Sequence, residues 1–280
     1  MSAPDRYAVI GNPIAHSRSP DIHRWFAEET GQQLQYDRLL APIDEFPAVL
    51  EGLRRDATFR GLNVTVPFKV QAFNFATRHS ARALAAGAVN CLKFDDDVVL
   101  GDNTDGIGLV NDLQVRLGLV LSGLSVLLLG AGGASRGVLQ PLLDAGVSRI
   151  LMCNRHVGKA QALVLQAADP RLSAIGYAQL DAAECGESNV IINATSIGLG
   201  AERLPLPANV LARAQLAYDM VYSARPTAFL QQAHDAGCPL TSDGLGMLIE
   251  QAAESFLIWR GVAPQTAPVY RRLRALLDER

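Results

Sequence analysis

One stretch decides the fold of this chain: Leu124-Ser125-Val126-Leu127-Leu128-Leu129-Gly130-Ala131-Gly132-Gly133-Ala134-Ser135-Arg136-Gly137. Its unbroken apolar run predicts a strand of a parallel sheet, because such strands are buried on both faces. The glycines favour a tight turn where backbone approaches an anion, and a helix that begins there directs its positive end to the same point. A second apolar run at 149–153 follows at βαβ spacing, which predicts a pyrophosphate-binding unit. Because Ser135 replaces the third glycine of the usual pattern, a turn without a ligand is the alternative.

Length and composition restrict the class of protein. A chain of 280 residues is expected to form about two domains. Its 49% hydrophobic and 19% charged residues are typical of a globular protein. A net charge of −3 lacks the excess of basic residues that is typical of nucleic-acid-binding proteins. No apolar run reaches membrane-spanning length, residues 1–6 lack the apolar core of a signal peptide, and the cysteines are not spaced as metal ligands. We expect a cytoplasmic protein with no metal and with neither nucleic acid nor membrane as partner.

Two serines mark a candidate anion site near the N-terminus. The run His16-Ser17-Arg18-Ser19-Pro20 precedes helical periodicity over residues 21–29. Ser19 is suited to cap this helix, and Pro20 to its first position. Because one serine is enough for capping, Ser17 and Ser19 together indicate a site for a small carboxylate, with capping alone as the alternative.

Lys69 is the candidate acid or base. Residues 61–69 predict a strand that runs directly into a helix, with Pro67 in the first turn of that helix. Lys69 then lies near a helix N-terminus, where the dipole disfavours a cation by about 0.3–1 kcal/mol. An unfavourable position favours a functional explanation, and general acid/base chemistry is one that lysine provides. A solvated lysine is the alternative.

The junction between the predicted domains is rich in polar groups. Residues 83–101 predict a helix end, a strand to Phe94, a turn at 95–97 and a return strand, so the N-terminal part is expected to be an α/β domain of its own. The run Gly101-Asp102-Asn103-Thr104-Asp105-Gly106 then offers more cap-forming side chains than a helix over 107–117 requires. The surplus indicates a ligand cleft. An aspartate of this run that reached Lys69 would complete a Lys–Asp pair, which sequence spacing does not determine.

The second predicted domain carries a basic group where a dinucleotide would bind. The strand at 149–153 is followed by Asn154, Arg155, His156 and, one helical turn later, Lys159. An NAD site normally has an acidic residue here for the ribose 2′-hydroxyl, whereas basic groups suit the 2′-phosphate of NADP. Exposed basic residues at a helix start are the alternative. Further strands at 188–196 and 217–222 and a helix to Trp259 follow, and the final helix is expected to present a solvated face with Arg271, Arg272, Arg274 and Arg280.

Taken in order, these motifs resemble the shikimate dehydrogenase family over nearly the whole chain. The resemblance is carried by residues 16–20, Asn63-Val64-Thr65-Val66-Pro67-Phe68-Lys69, Gly87-Ala88-Val89-Asn90, residues 101–106 and 130–137, Asn154-Arg155, Asn193-Ala194-Thr195-Ser196, and residues 218–222 and 243–251. It implies an α/β fold with two domains. An N-terminal α/β substrate-binding domain would comprise residues 1–106 and, through C-terminal helices that return to it, 243–280. A Rossmann-like NADP-binding domain would comprise residues 107–242.

The resemblance further implies an NADP-dependent oxidoreductase. It would reversibly reduce 3-dehydroshikimate to shikimate with NADPH, in the biosynthesis of chorismate and the aromatic amino acids. Lys69 would be the acid/base, working with Asp105. The substrate-binding residues would be Ser17, Ser19, Thr65, Asn90, Asp105, Tyr222 and Gln251. The cofactor-binding residues would be Gly130, Ala131, Gly132, Gly133, Ala134, Asn154, Arg155, His156, Lys159, Met220 and Gly244.

The chain also departs from the family pattern. His156 stands where threonine is common, Lys159 where arginine is common, Cys91 in place of a threonine and Ala228 in place of a proline. Because lysine lacks the bidentate fork of arginine, the hold on a 2′-phosphate is expected to be weaker, and His156 is expected to make it pH-dependent. These departures leave open a paralogue acting on quinate or another hydroxylated cyclic acid, and a catalytically silent NADP-binding sensor. A small-molecule substrate and a monomer or homodimer are expected.

Overall fold

The computed structural model describes residues 4–180, 188–195 and 203–279. The chain forms two compact units: unit 1 comprises residues 1–108 and 248–273, and unit 2 comprises residues 109–247 and 274–280. Each unit contains its own sheet, which agrees with the α/β fold expected from the sequence. None of the helices in the described ranges combines the length and apolarity that crossing a membrane requires.

The strands are short, as is usual in α/β proteins. In chain order they are β1 (Asp5–Gly11), β2 (Leu34–Leu40), β3 (Phe59–Val64), β4 (Arg78–His79), β5 (Cys91–Asp95), β6 (Val98–Asp102), β7 (Ser125–Leu129), β8 (Arg149–Cys153), β9 (Leu172–Ile175), β10 (Val190–Asn193), β11 (Leu216–Asp219) and β12 (Thr241–Ser242). The predicted strand at 149–153 has these bounds in the structure.

Helices connect most of the strands. In chain order they are α1 (Ser19–Thr30), α2 (Phe46–Arg55), α3 (Lys69–Phe75), α4 (Ala81–Ala86), α5 (Asp105–Asn111), α6 (Gly133–Asp144), α7 (Val157–Ala167), α8 (Ala208–Arg213), α9 (Ala228–Asp235), α10 (Leu245–Arg260) and α11 (Thr266–Asp278). Residues 112–116 continue α5 as a π-helical segment.

The sheet of unit 1 is mixed and has the strand order β2-β1-β3-β5-β6-β4. Strands β1, β2 and β3 run parallel, and β5 runs antiparallel to both β3 and β6. The hairpin expected around residues 95–97 is confirmed, because Asp95 pairs with Val98. The parallel pairing of β1 with β3 brings the carboxyl ends of both strands to one edge of the sheet.

The sheet of unit 2 is entirely parallel, with the order β12-β11-β10-β7-β8-β9. This is the doubly wound Rossmann order, and it reverses direction between β7 and β10, where such sheets bind dinucleotides. Both faces of the sheet are covered. Along β7, Val126 and Leu128 face one apolar cluster, whereas Leu127 and Leu129 face another, which confirms the interpretation of the apolar run.

The start of α1 differs from the sequence prediction. The helix begins at Ser19, and its N-cap is Arg18 rather than Ser19. Ser17 Oγ accepts a hydrogen bond from the Ser19 N–H at 3.3 Å. The side chain of Ser17 therefore already binds a backbone N–H at the helix entrance, which leaves the Ser19 hydroxyl without a capping role.

Two further helices begin at other residues than predicted. Pro67 lies in a turn that precedes α3, so Lys69 is the first residue of that helix. Helix α5 begins at Asp105 instead of Ile107. The reason is an Asx-type turn in which Asn103 Oδ1 accepts a hydrogen bond from the Asp105 N–H at 3.2 Å.

A close approach fixes α10 on the sheet of unit 1. Trp259 Nε1 donates a hydrogen bond to the Leu92 carbonyl at 2.9 Å, and the indole stacks on Tyr7 with ring centroids 4.7 Å apart. A Cβ at Gly61 would lie 2.4 Å from Trp259 Nε1, so only glycine permits this packing. The contact holds in place the helix that carries Gln251 and Ser255.

Candidate active site

The centre of the candidate site is an ion pair. Lys69 Nζ lies 2.5 Å from Asp105 Oδ2, and both side chains are largely buried, with exposed fractions of 30% and 13%. Lys69 is held at the start of α3 by a backbone hydrogen bond from the Val89 N–H to the Lys69 carbonyl at 2.9 Å. The structure therefore brings together the lysine and an aspartate whose meeting the spacing in sequence left open.

Asn90 orients the aspartate of this pair. Its Nδ2 donates to Asp105 Oδ1 at 2.8 Å, and its Oδ1 accepts a hydrogen bond from the Thr104 N–H at 2.8 Å. These two contacts determine which way the amide faces, because a backbone N–H requires the oxygen and a carboxylate requires the nitrogen. Gln251 Oε1 lies 3.4 Å from both Asn90 Nδ2 and Thr104 Oγ1. Lys69, Asp105, Asn90 and Gln251, all predicted site residues, thus form one connected group.

The four polar residues at 102–105 divide into three roles. Asp102 is an anchor, since its carboxylate binds Arg82 Nη2 at 2.7 Å and Ser80 Oγ at 2.5 Å. Asn103 forms the Asx-type turn at which α5 begins, as described above. Thr104 and Asp105 join the site. Thr104 is fully buried and was not among the predicted site residues, although the sequence analysis placed it in the polar run.

The predicted anion-binding serines lie where the chain enters α1 after β1. Ser17 Oγ donates to Ser19 Oγ at 3.2 Å, and the Ser17 carbonyl accepts from Arg38 Nε at 2.8 Å. The Thr65 N–H donates to the Ile10 carbonyl at 3.0 Å, which ties the segment leading to Lys69 to the end of β1. The serine pair and Thr65 therefore follow neighbouring parallel strands at the same sheet edge as the Lys69–Asp105 pair.

In unit 2 the glycine loop follows β7 at the switch point. Gly130 has φ +107°, and its N–H donates to the Cys153 carbonyl at 2.7 Å. Gly132 and Gly133 at the start of α6 are exposed, and a Cβ at either would meet open space. The first turn of this helix has N–H groups without intrahelical partners, which suits a phosphate. Gly130, Ala131, Gly132, Gly133 and Ala134 are thus placed where a pyrophosphate could bind.

The basic residues expected to bind a 2′-phosphate lie after β8. Asn154 Nδ2 donates to the His156 carbonyl at 2.9 Å and shapes the turn. Arg155, His156 and Lys159 are exposed at the start of α7. The charges of Arg155 and Lys159 and the helix N-terminus favour an anion at this strand end, so the residues present fit an NADP phosphate.

Met220 and Gly244 follow the ends of two neighbouring strands of unit 2, β11 and β12. The Gly244 N–H donates to the Val221 carbonyl at 3.1 Å, and a Cβ at Gly244 would lie 2.2 Å from the Met220 carbonyl. Asp219 holds this loop, because its carboxylate accepts from the Val221 N–H at 3.1 Å and from Thr227 Oγ1 at 2.6 Å. Burial raises the pKa of Asp219. Tyr222 lies in the same loop and is half-buried.

The arginines of α11 do not all face solvent as expected. Arg274 Nη2 lies 2.5 Å from Asp243 Oδ1, and this aspartate also accepts from the Leu245 N–H at the start of α10. The Arg272 guanidinium lies 4.4 Å from the centre of the Trp25 ring. Arg272 is nevertheless exposed, as expected. The prediction was wrong for Arg274, because sequence periodicity does not show which elements approach a basic face. Arg280 and Ser196 lie outside the described residues.

The Rossmann order, the glycine loop and the basic strand end place this chain in the class of α/β dinucleotide-binding proteins. Three family models match it: the shikimate dehydrogenase substrate binding domain over residues 9–92, shikimate / quinate 5-dehydrogenase over residues 113–199, and the shikimate 5′-dehydrogenase C-terminal domain over residues 244–274. The shikimate dehydrogenase (NADP(+)) of Janthinobacterium sp. (strain Marseille) is 53% identical over 272 residues, which cover 96% of this chain and 97% of that protein. The chain belongs to the shikimate dehydrogenase family.

Solved structures show the same relationship. An Ael1 enzyme from Pseudomonas putida is 46% identical with a TM-score of 0.91, and the match covers 96% of this chain and 98% of that one. Shikimate 5-dehydrogenase from Thermus thermophilus, solved in complex with NADP(H) and shikimate, is 33% identical with a TM-score of 0.84, covering 98% of this chain and 100% of that one. The resemblance found in the sequence is therefore confirmed over the full fold.

Proposed function

We propose that this protein catalyses the reversible, NADPH-dependent reduction of 3-dehydroshikimate to shikimate in the biosynthesis of chorismate and the aromatic amino acids. The observation that carries the proposal is the connected group of Lys69, Asp105, Asn90 and Gln251 in a member of the shikimate dehydrogenase family. These side chains offer one proton donor and several hydroxyl-binding groups, which matches a ketone within a hydroxylated ring.

The lysine and aspartate divide the chemistry. NADPH supplies a hydride to the ketone carbon when it is bound. Lys69 Nζ then donates a proton to the carbonyl oxygen, which becomes the new hydroxyl. Asp105 holds the ammonium through Oδ2 at 2.5 Å and accepts a hydrogen bond from the neighbouring ring hydroxyl. In the direction of shikimate oxidation the same lysine removes the proton. Acid/base assistance of this kind contributes about 10²–10⁴-fold in rate.

The remaining predicted residues bind and orient the substrate. The hydroxyls of Ser17 and Ser19, 3.2 Å apart, bind its carboxylate, and Tyr222 is proposed to assist them. Thr65, Asn90 and Gln251 bind the ring hydroxyls. These groups suit both the carboxylate and the hydroxyls of a small polar molecule, which favours a hydroxylated cyclic acid over a simple ketone as the substrate.

The cofactor of this family member is NADP(H). We assign the pyrophosphate to residues 130–134 and the 2′-phosphate to Arg155, His156 and Lys159, with Asn154 shaping the turn. Met220 and Gly244 are assigned to the nicotinamide end. A monomer or homodimer in the cytoplasm belongs to the same proposal.

One assay tests this function. The purified protein is given shikimate or quinate with NADP⁺ or NAD⁺, and kcat/KM is measured for all four combinations. We expect shikimate with NADP⁺ to be used best. The second candidate is a quinate/shikimate dehydrogenase, which the shikimate / quinate 5-dehydrogenase match over residues 113–199 favours. Higher kcat/KM with quinate would support that candidate, and no reduction of NADP⁺ with either acid would support a catalytically silent sensor.

A further inference from the structure

Asn63 belongs to the motif at residues 63–69 but has no role in the proposed chemistry. It is 6% exposed, and its amide is used within the protein. Oδ1 accepts from the Tyr36 hydroxyl at 2.7 Å, while Nδ2 donates to the Asn90 carbonyl at 3.2 Å and to Ser255 Oγ at 2.9 Å. A side-chain amide has two N–H donors, so these two contacts occupy both. Asn63 is therefore suited to hold other residues rather than a ligand.

Ser255 connects this amide to the ion pair. It is fully buried on α10, and its hydroxyl donates to the Gln251 carbonyl at 3.0 Å. Ser255 Oγ also accepts from Asn63 Nδ2 and shares a hydrogen bond with Thr104 Oγ1, which lies 3.3 Å away. Thr104 in turn contacts Asn90. Ser255 is thus the junction between β3, α10 and the segment that carries Asp105.

Asn90 is held from two directions as a result. Its backbone carbonyl accepts from Asn63, and its side chain meets Thr104. Its Nδ2 then faces Asp105 Oδ1 at 2.8 Å. If the amide turned over, its oxygen would face a carboxylate oxygen, and two acceptors would repel each other. The orientation of Asn90 consequently governs the orientation of Asp105 and, through it, of Lys69.

We propose that Tyr36, Asn63 and Ser255 are positioning residues, forming a buried hydrogen-bonded chain that holds the Asn90 amide in the orientation required by the Lys69–Asp105 pair. The inference rests on the proposed function, in which that pair reacts with the substrate. Tyr36 is itself fixed, because its ring stacks on His23 at 4.2 Å between centroids. Burial raises the pKa of Tyr36 well above its usual value, so its hydroxyl remains a donor.

A double-mutant cycle in the full chain tests the inference. We compare kcat for shikimate oxidation in the wild type, Ser255→Ala, Asn90→Ala and the double variant. Loss of a neutral hydrogen bond corresponds to roughly a 2- to 12-fold change in rate. We expect Ser255→Ala to lower kcat by about that factor, to leave KM for NADP⁺ unchanged, and to have no further effect once Asn90 is alanine.

Two further variants distinguish a loss of positioning from a general loss of folding. Tyr36→Phe removes only the hydroxyl at the far end of the chain and is expected to lower kcat in the same direction, again without adding to Ser255→Ala. Ser173→Ala on β9 in unit 2 is the matched control. It deletes a buried hydroxyl that has no hydrogen-bond partner among the described residues, so kcat should not change.

Failure of the positioning role and failure of the proposed function give different results in these experiments. If Ser255→Ala has the same kcat as Ser173→Ala, or lowers kcat equally with and without Asn90, the positioning role is refuted. If the wild type does not oxidise shikimate, the proposed function fails instead, and the ¹⁵N resonance of the Asn90 side-chain amide decides the inference. That resonance should shift in Ser255→Ala and stay in place in Ser173→Ala; an unshifted resonance in both overturns the inference.

Discussion

Lys69 and Asp105 are 36 residues apart in the sequence, and Lys69 Nζ lies 2.5 Å from Asp105 Oδ2. Each is the first residue of its helix. A cation at a helix start is unfavourable, and the carboxylate offsets that cost. The pair therefore explains how a lysine is kept at this position, with its ammonium directed at a group that can also bind a substrate hydroxyl.

Removing the lysine should abolish most of the turnover. We expect Lys69→Ala to lower kcat for shikimate oxidation by about 10²–10⁴-fold, because the proton acceptor is lost. NADPH binding, measured by cofactor fluorescence, should be unchanged, since the proposed cofactor residues lie in unit 2. Lys93→Ala on β5 serves as the control and should keep its turnover. Near-normal kcat in Lys69→Ala would show that another group moves the proton.

The basic residues after β8 should set the cofactor preference. Arg155→Ala or Lys159→Ala should lower kcat/KM for NADP⁺ by about 10- to 100-fold, the range for hydrogen bonds to a charged group, and leave kcat/KM for NAD⁺ unchanged. The effect should shrink as ionic strength rises, because these side chains are exposed. Arg149→Ala at the opposite end of the same strand is the control. Equal losses with both cofactors would contradict the assignment.

His23 should make the fold sensitive to acid. It is fully buried, and burial lowers its pKa from 6.5 to about 3. Between these values the unfolded chain binds the proton and the folded chain does not, so the free energy of unfolding falls as pH falls below 6.5, by up to about 1.4 kcal/mol per pH unit.

Urea unfolding at several pH values between 4 and 7 measures this slope. In His23→Phe the slope should be smaller than in the wild type, since the titrating group is gone. His234→Gln on α9 removes an exposed histidine and should leave the slope unchanged. An identical acid slope in the wild type and His23→Phe would mean that other groups cause the loss of stability.

Gly108 should tolerate no side chain. A Cβ there would lie 2.7 Å from the Gln251 backbone nitrogen, so Gly108→Ala forces α5 and α10 apart and should lower the free energy of unfolding by about 1–3 kcal/mol. Gly52→Ala in α2 meets open space and should instead raise it by about 0.5–1 kcal/mol. Thermal unfolding of both variants distinguishes them. A Gly108→Ala protein as stable as the wild type would show that the helices can separate at little cost.

The Rossmann half could be predicted from the sequence in detail. A short run of consecutive apolar residues predicts a strand of a parallel sheet that is buried on both faces. For the run at 149–153 the predicted bounds are also those of β8 in the structure. The glycine loop and the basic residues after β8 are local signals, readable without knowledge of distant contacts. The exact domain limits proposed from the sequence, at residues 106–107 and 242–243, remain a proposal.

The substrate half was predictable only in part. Asp102, Asn103, Thr104 and Asp105 are all cap-forming residues, and only the packing of Arg82 against Asp102 separates the anchor from the site. Ser255 is even harder to recognise from the sequence, because it is a single small hydroxyl four residues after Gln251 in a mostly apolar helix. Its role depends on β3 and α10 being neighbours, which is a property of the tertiary fold and not of any local pattern.

Gly130 has a consequence for judging related sequences. A Cβ at this position would lie 3.2 Å from each of three atoms, in Ala194, Thr195 and Ser135, and its φ of +107° also requires glycine. The architecture of the sheet therefore demands this glycine even in a descendant that has lost its cofactor. Gly132 and Gly133 face open space, so in a relative that no longer binds a dinucleotide these two glycines would be the first to be replaced. Their retention is therefore the better marker of an active enzyme.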